Sequence, residues 1–285
     1  MTVTWSCVLD DTPPIWTAFR IWTATLLHCA HVDPSDVVVH HVVPLRADCA
    51  ALIERTGLRA IAIAPFDPRS PHCNKIRQCE TDYGTAGKVV LTDVDLAFLK
   101  RPPTEELSSP VAGKPVDKPN PPLEILARVF EARGLPLPED TVRATYRDES
   151  GQEHPFETLK GNFNGGVYVV DASLLAALGA AWAQEARWLL DRAVLPGRYA
   201  VHVDQVAFCL AIHDLGIEPE TLSARWNLPS HMVTDAADPV PYIVHHHGRL
   251  EPDLRLSPLR PARHEAEIAR ANQAIAAFAG SPGPA

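Results

Sequence analysis

An α/β fold with a mostly parallel central sheet, flanked by helices in a single domain, is what this 285-residue sequence predicts. Short β-rich runs alternate with helical stretches through the first hundred residues. Those runs are apolar almost throughout rather than alternating, as expected when helices cover both faces of a sheet. No internal repeat divides the chain.

The elements follow in order. VTWSCVL (3–9), DVVVHHVV (36–43), LRAIAIA (58–64) and KVVLT (88–92) read as strands. Between them, residues 15–29 and 47–56 carry helical spacing, and 71–79 form a further helix. Residues 108–122, SSPVAGKPVDKPNPP, are too rich in proline for strand or helix. They read as a loop or lid, with a plain connector as the alternative. Residues 123–133 are a helix, and 141–156 are polar and poorly patterned. NGGVYVVD (164–171) is a strand, followed by a long helix over 173–193 with Asp171 or Ser173 as its N-cap. A helix over 204–215, extended pieces TLSARW and PYIVHHH, and an amphipathic helix over 263–278 complete the chain. The tail GSPGPA reads as disordered.

Acidic residues outnumber basic ones by 35 to 26, which excludes a broad basic face for nucleic acid. An anionic ligand would have to bind through local groups or a bound cation. The N-terminus lacks a basic start and a long apolar stretch, so no signal peptide is expected, and no run is long enough to span a bilayer. The six cysteines are scattered without a Cys-x-x-Cys pair, as in a cytoplasmic protein with buried, reduced thiols. Abundant Ala, Arg and Pro match a GC-rich bacterial genome. G-x-G-x-x-G after a strand, a true phosphate loop, G-x-S-x-G and H-E-x-x-H are all missing.

Four short constellations remain. In VVLTDVDLAF, Asp93 and Asp95 lie two apart in an extended segment, so both project to one side. At the carboxyl end of a parallel strand that side faces the ligand crevice. The pair could hold a hard divalent cation and leave positions for phosphates, although aspartates also populate turns after strands. PYIVHHHG places His245 and His247 on one face and His246 on the other. An imidazole completes a chemically coherent set with two carboxylates, while a solvated strand end is the plainer reading. NFNGG joins Asn164 to two glycines that permit close approach to the backbone, or form a simple bulge. Asp204 and Gln205 open a helix, where Asp204 also suits an N-cap.

In this order, a strand ending in Asp-x-Asp, Phe-Asn-x-Gly-Val, Asp-Gln and His-x-x-Gly resembles the metal-dependent glycosyltransferases of the GT-A fold. The chain looks most like the galactosyltransferase and glycogenin type, glycosyltransferase family 8, between about residues 9 and 248. The resemblance implies that Asp93, Asp95 and His245 bind Mn²⁺ or Mg²⁺, which grips the diphosphate of a nucleotide-sugar. Whether His245 or His247 is the ligand stays open. Asp10 matches an acidic position against the nucleobase. Asn74, Lys75 and Arg77 are candidates against the ribose and donor sugar, and Val94 and Gly165 complete the donor-binding set. Asn164, Asp204 and Gln205 match residues near the anomeric carbon and are the catalytic candidates.

The resemblance divides the domain into a nucleotide-sugar-binding half (1–107), a Pro-rich insertion or lid (108–160), and an acceptor and catalytic half (161–279). The family's Lys-Pro-Trp after His-x-x-Gly is replaced by GRLEPD, where Arg249 could substitute. The implied reaction moves a sugar from a nucleoside-diphosphate donor, a UDP-sugar by resemblance, to an unidentified acceptor hydroxyl with retention. Inversion would need a base, with Asp204 the first candidate. A sugar-1-phosphate nucleotidylyltransferase is a rival, but LDDTPPIW is acidic and lacks the glycine-rich basic loop that chemistry needs. A non-catalytic nucleotide-sugar-binding protein is the other; the retained metal-ligand candidates speak against it.

Overall fold

The computed structural model describes residues 2–280 apart from 11, 13, 149, 233–237 and 261. Of the tail expected to be disordered, Gly280 closes the last helix and 281–285 lie outside the described residues.

Among the described residues the chain forms twelve strands and six α-helices. They are β1 (Val3–Leu9), α1 (Ile15–His28), β2 (Val37–Val42), α2 (Ala47–Thr56), β3 (Arg59–Ile63), β4 (Lys88–Thr92), β5 (Leu96–Phe98) and β6 (Val111–Pro115). There follow α3 (Leu123–Arg133), β7 (Thr141–Arg147), β8 (Glu153–Leu159), β9 (Phe163–Asp171), α4 (Leu175–Arg192), α5 (Val203–Asp214), β10 (Glu220–Thr221), β11 (Leu228–Pro229), β12 (Ile243–His245) and α6 (Glu265–Gly280). Residues Pro71–Glu80 form an extended 3₁₀ segment rather than an α-helix.

The main sheet has seven strands in the order β10-β6-β9-β4-β1-β2-β3. All neighbours run parallel except β9, which is antiparallel to both β4 and β6. That reversal sets the beginning of β9 beside the end of β4, where the Asp93 amide donates to the Gly166 carbonyl at 3.0 Å. A second sheet, β11-β12-β5, pairs His245 with Leu96. β7 and β8 form a separate hairpin.

Successive residues of the central strands bury on opposite faces, as the pleat requires. Val90, Val167 and Val169 pack with Trp5, Trp22 and Phe98 under α1 and α6. Val89, Leu91, Tyr168 and Val170 pack with Trp182 and Phe208 under α4 and α5. The Tyr168 and Phe208 rings stack at 4.0 Å. Of the four strands expected in the first hundred residues, the edge strand β3 departs furthest from two-sided burial, with Arg59, Ala60 and Ala62 exposed. All six cysteines are free and buried. Among the described residues, no helix is long and apolar enough to cross a membrane.

Three expectations are corrected. Within 108–122, Val111–Pro115 forms β6, an inner strand of the main sheet. Proline is tolerated because Pro115 ends the strand at a register irregularity opposite Phe163. The poorly patterned 141–156 belongs to the β7–β8 hairpin, closed by Asp148, whose carboxylate accepts from the amides of Ser150 and Gln152. The proposed caps hold only in part. Asp171 stands at the N-cap position of the 3₁₀ turn Ala172–Leu174 that leads into α4, but its carboxylate takes the buried Lys88 ammonium at 2.6 Å instead of capping. His202, not Asp204, stands at the start of α5, with Asp204 in its first turn.

Candidate active site

The strand β4 ends at Thr92, and the link to β5 carries Asp93 and Asp95 onto the carboxyl edge of the sheet. Pairing of β5 with β12 brings His245 to the same place, and the amide of His246 donates to the Asp95 carbonyl at 3.0 Å. Ligand atoms of Asp93, Asp95 and His245 lie within 4.8 Å of one another. Each carboxylate has its own nitrogen partner: Lys75 Nζ is 2.8 Å from Asp93, and His245 Nε2 is 3.1 Å from Asp95. This is how two aspartates so close together are tolerated.

Electrostatics follow burial. Burial raises the Asp93 carboxyl above the usual carboxylate range, against the pull of Lys75. For Asp95 burial acts the same way, but His245 more than offsets it and holds the group below its ordinary range. Burial works against the His245 charge, yet Asp95 prevails and the ring sits above its ordinary value. Burial likewise opposes the Lys75 charge, and Asp204 with Asp93 holds the ammonium well above its usual range.

Lys75 is the hub of the other half of the site. Its ammonium reaches Asp204 at 2.9 Å and the Gly165 carbonyl at 3.1 Å. The Gly165 amide donates to Gln205 at 3.0 Å, and the Gly166 amide to Asn164 at 2.9 Å. The paired glycines are explained by side chains rather than by a bulge. A Cβ on Gly165 would lie 2.8 Å from Lys75 Nζ, and one on Gly166 would lie 2.8 Å from Asn227.

Two cavities meet at Asp93, Asp95, Lys75 and His72. One, of about 400 Å³, is also lined by Asn164, Gly165, Asp204, Gln205 and His245. The other, of about 430 Å³, is lined by Asp10, Asn74 and Val94. Asp10 accepts from the Thr12 hydroxyl at 2.7 Å, and Asn74 braces the Phe66 amide at 2.8 Å. Two candidates lie outside both cavities. Arg77 pairs with Glu80 at 2.7 Å and packs over Phe66, while Arg249 sits on the exposed turn after Gly248. His247 lines the first cavity, and its ring stacks on His245 at 3.6 Å, but it is not in the three-ligand group.

Sequence reasoning missed Asp117, which lines the cavity from inside the Pro-rich segment, and Asn227, which bonds His245 at 2.9 Å. The Trp-Asn pair of SARWNLPS (223–230) resembles a stretch of the same glycosyltransferases, but that resemblance gave Asn227 no role. Asp117 had no signal of its own, because its neighbourhood read only as a loop, lid or connector.

No protein-family model matches the chain, and no curated protein matches it by sequence. Among solved structures it is similar to the galactosyltransferase LgtC in complex with donor and acceptor sugar analogues, with TM-score 0.60 and 12% identity over 98% of this chain and 97% of that one. Mouse xyloside xylosyltransferase 1 in its apo form matches with TM-score 0.50 and 12% identity over 85% of this chain and 96% of that one. The apo structure of WbbM, a bifunctional glycosyltransferase, gives TM-score 0.55 and 12% identity over 99% of this chain and 50% of that one. The likeness to these glycosyltransferase structures runs over 85–99% of this chain, and the chain has the GT-A fold.

Proposed function

We propose that this protein is a glycosyltransferase that moves a sugar from a nucleoside-diphosphate donor, a UDP-sugar, to an acceptor hydroxyl. The observation that carries the reading is the convergence of Asp93, Asp95 and His245 at the end of β4, in a cavity that Asn164, Gly165, Asp204 and Gln205 also line. Two carboxylates and one imidazole fit Mn²⁺ or Mg²⁺, and three protein ligands leave positions for diphosphate oxygens. When bound, the cation supplies Lewis-acid stabilisation of the negative charge on the departing diphosphate.

The remaining roles belong to the chain. The cavity lined by Asp10, Asn74 and Val94 suits the base and ribose, and the one lined by Asn164 and Gln205 suits the donor sugar. Lys75 holds the Gly165 carbonyl, Asp93 and Asp204 in fixed relation, so the donor pocket needs little reorganisation during transfer. Asp204 is committed to Lys75, which favours a retaining outcome over one that uses Asp204 as the base. An alpha-linked donor is then expected to give an alpha-linked product, and NMR of the product decides; a beta-linked product would sink the retaining assignment.

Calorimetric titration of UDP, with and without Mn²⁺, tests the donor site. Binding is expected to require the cation and to be lost in Asp95→Ala. Equal binding with and without the cation in both proteins would remove the metal from the reading. No binding of UDP, GDP or dTDP would overturn the donor assignment.

A further inference from the structure

A chain of hydrogen bonds runs away from the carboxylates through groups whose donor and acceptor roles can be fixed. It begins at two groups with no freedom. The Gly166 backbone N–H can only donate, and it meets Asn164 at 2.9 Å, so the atom there is the side-chain oxygen. The Asn164 amide nitrogen then faces the Asp117 carboxylate at 2.5 Å, an acceptor. The other Asp117 oxygen takes Lys114.

With Asn164 fixed, Asn227 has one orientation. Its NH₂ must donate to the Asn164 oxygen at 2.9 Å, which turns its own oxygen toward His245 Nδ1 at 2.9 Å. An oxygen at that position requires a proton on Nδ1. Asn227 is fully buried and His245 nearly so, and buried polar groups are hydrogen-bonded, so the contact between them is a donor–acceptor pair. The absence of a Cβ on Gly166 preserves the space: one would lie 2.8 Å from Asn227 Nδ2 and 3.0 Å from His245 Nδ1.

We infer that Asn227 is a positioning residue: it holds a proton on His245 Nδ1 and so leaves Nε2 as the one ring nitrogen offered to a cation at Asp93 and Asp95. A backbone amide in β9 thereby selects the ligating atom of a histidine in β12 through two side chains. Imidazoles that bind metal commonly donate their other N–H to a fixed acceptor, and losing that acceptor weakens metal binding. The metal role rests on the proposed function, but the proton assignment does not.

The test is long-range ¹H–¹⁵N correlation of the His245 ring in the whole protein, first metal-free and then with Cd²⁺ as the probe. Nδ1 is expected to be protonated in both states, with ¹¹³Cd coupling at Nε2. A bare Nδ1 beside a protonated Nε2, or coupling at Nδ1, would overturn the inference. A protonated Nδ1 without any Cd²⁺ binding upholds it while overturning the cation reading. Asn227→Ala is expected to bind Cd²⁺ roughly 10–100-fold more weakly and to lose protection of the Nδ1 proton from exchange. Asn227→Asp keeps an oxygen opposite Nδ1 and is expected to retain that proton. If Asn227→Ala does not fold, the wild-type spectra decide alone.

Discussion

Gly165 and Gly166 are neighbours that lack a side chain for different reasons, and substitution separates them. In Gly165→Ala the nearest obstacle is the Lys75 ammonium, buried and paired with Asp93 and Asp204, with Asp204 itself at 3.2 Å. We expect sugar transfer or donor hydrolysis to fall at least tenfold and the thermal midpoint to drop as those buried pairs are disturbed. In Gly166→Ala the obstacles are Asn227 and His245, both buried and hydrogen-bonded. Overpacking there is expected to cost about 1–3 kcal/mol in denaturant unfolding and to weaken metal-dependent UDP binding. His40 gives a pH prediction away from the site. It is buried between Ser6 at 3.1 Å and Thr81 at 2.7 Å, and burial lowers its pKa from 6.5 to about 4. The unfolded chain takes up this proton near pH 6.5 and the folded protein only near pH 4. Stability from this group is therefore complete above about pH 6.5 and falls as pH drops toward 4, by about 3 kcal/mol. Urea unfolding at pH 7 and 4.5 should show the slope, and His40→Gln should flatten it.

The elements differ in how legible they were, and the reasons are physical. β1, β4 and α2 matched their expected bounds because continuous apolar runs or amphipathic spacing marked them. β6 was hidden: its Val-Ala-Gly centre is short, proline ends it, and Gly113 is needed because a Cβ would lie 2.4 Å from the Phe163 ring. The β7–β8 hairpin was hidden because its alternation is weak and even its less exposed face is only half-buried. The Asp-x-Ser-Gly turn was the signal overlooked. α3 joins this insertion to the core through Arg133, whose guanidinium makes two bonds of 2.7 and 2.8 Å to the fully buried Glu185. Arg133→Ala leaves that carboxylate unpaired and should cost about 3–5 kcal/mol, read as a lower urea midpoint. Asp117, Lys118 and Asn120 bring the start of the insertion to the cavity. If the insertion serves as a lid, UDP with Mn²⁺ slows limited proteolysis within residues 116–122; unchanged cleavage removes that role.

At the scale of the molecule, one sheet serves two cores. Side chains alternate along β4 and β9 between the α1–α6 side and the α4–α5 side, so neither half can separate without exposing the other. Unfolding is expected as one transition, with calorimetric and van't Hoff enthalpies equal. The same geometry explains why the site's outline was readable and its wiring was not. Asp-x-Asp, Asn-Gly-Gly, Asp-Gln and His-x-x-Gly sit at ends of elements that converge on one sheet edge, so their order in sequence survives as proximity. Asn227 and Asp117 act by orienting those groups, and a linear reading has no measure of orientation. The buried cysteines carry one more consequence. Burial pushes the Cys73 and Cys79 thiols up to about 12, and Cys209 higher still, so the native protein offers no reactive thiolate from these three at neutral pH. A thiol-alkylating reagent then labels them when the fold opens, and mass spectrometry of the adducts becomes a clock for the opening of the core on the α4–α5 side of the sheet, with no engineered residue.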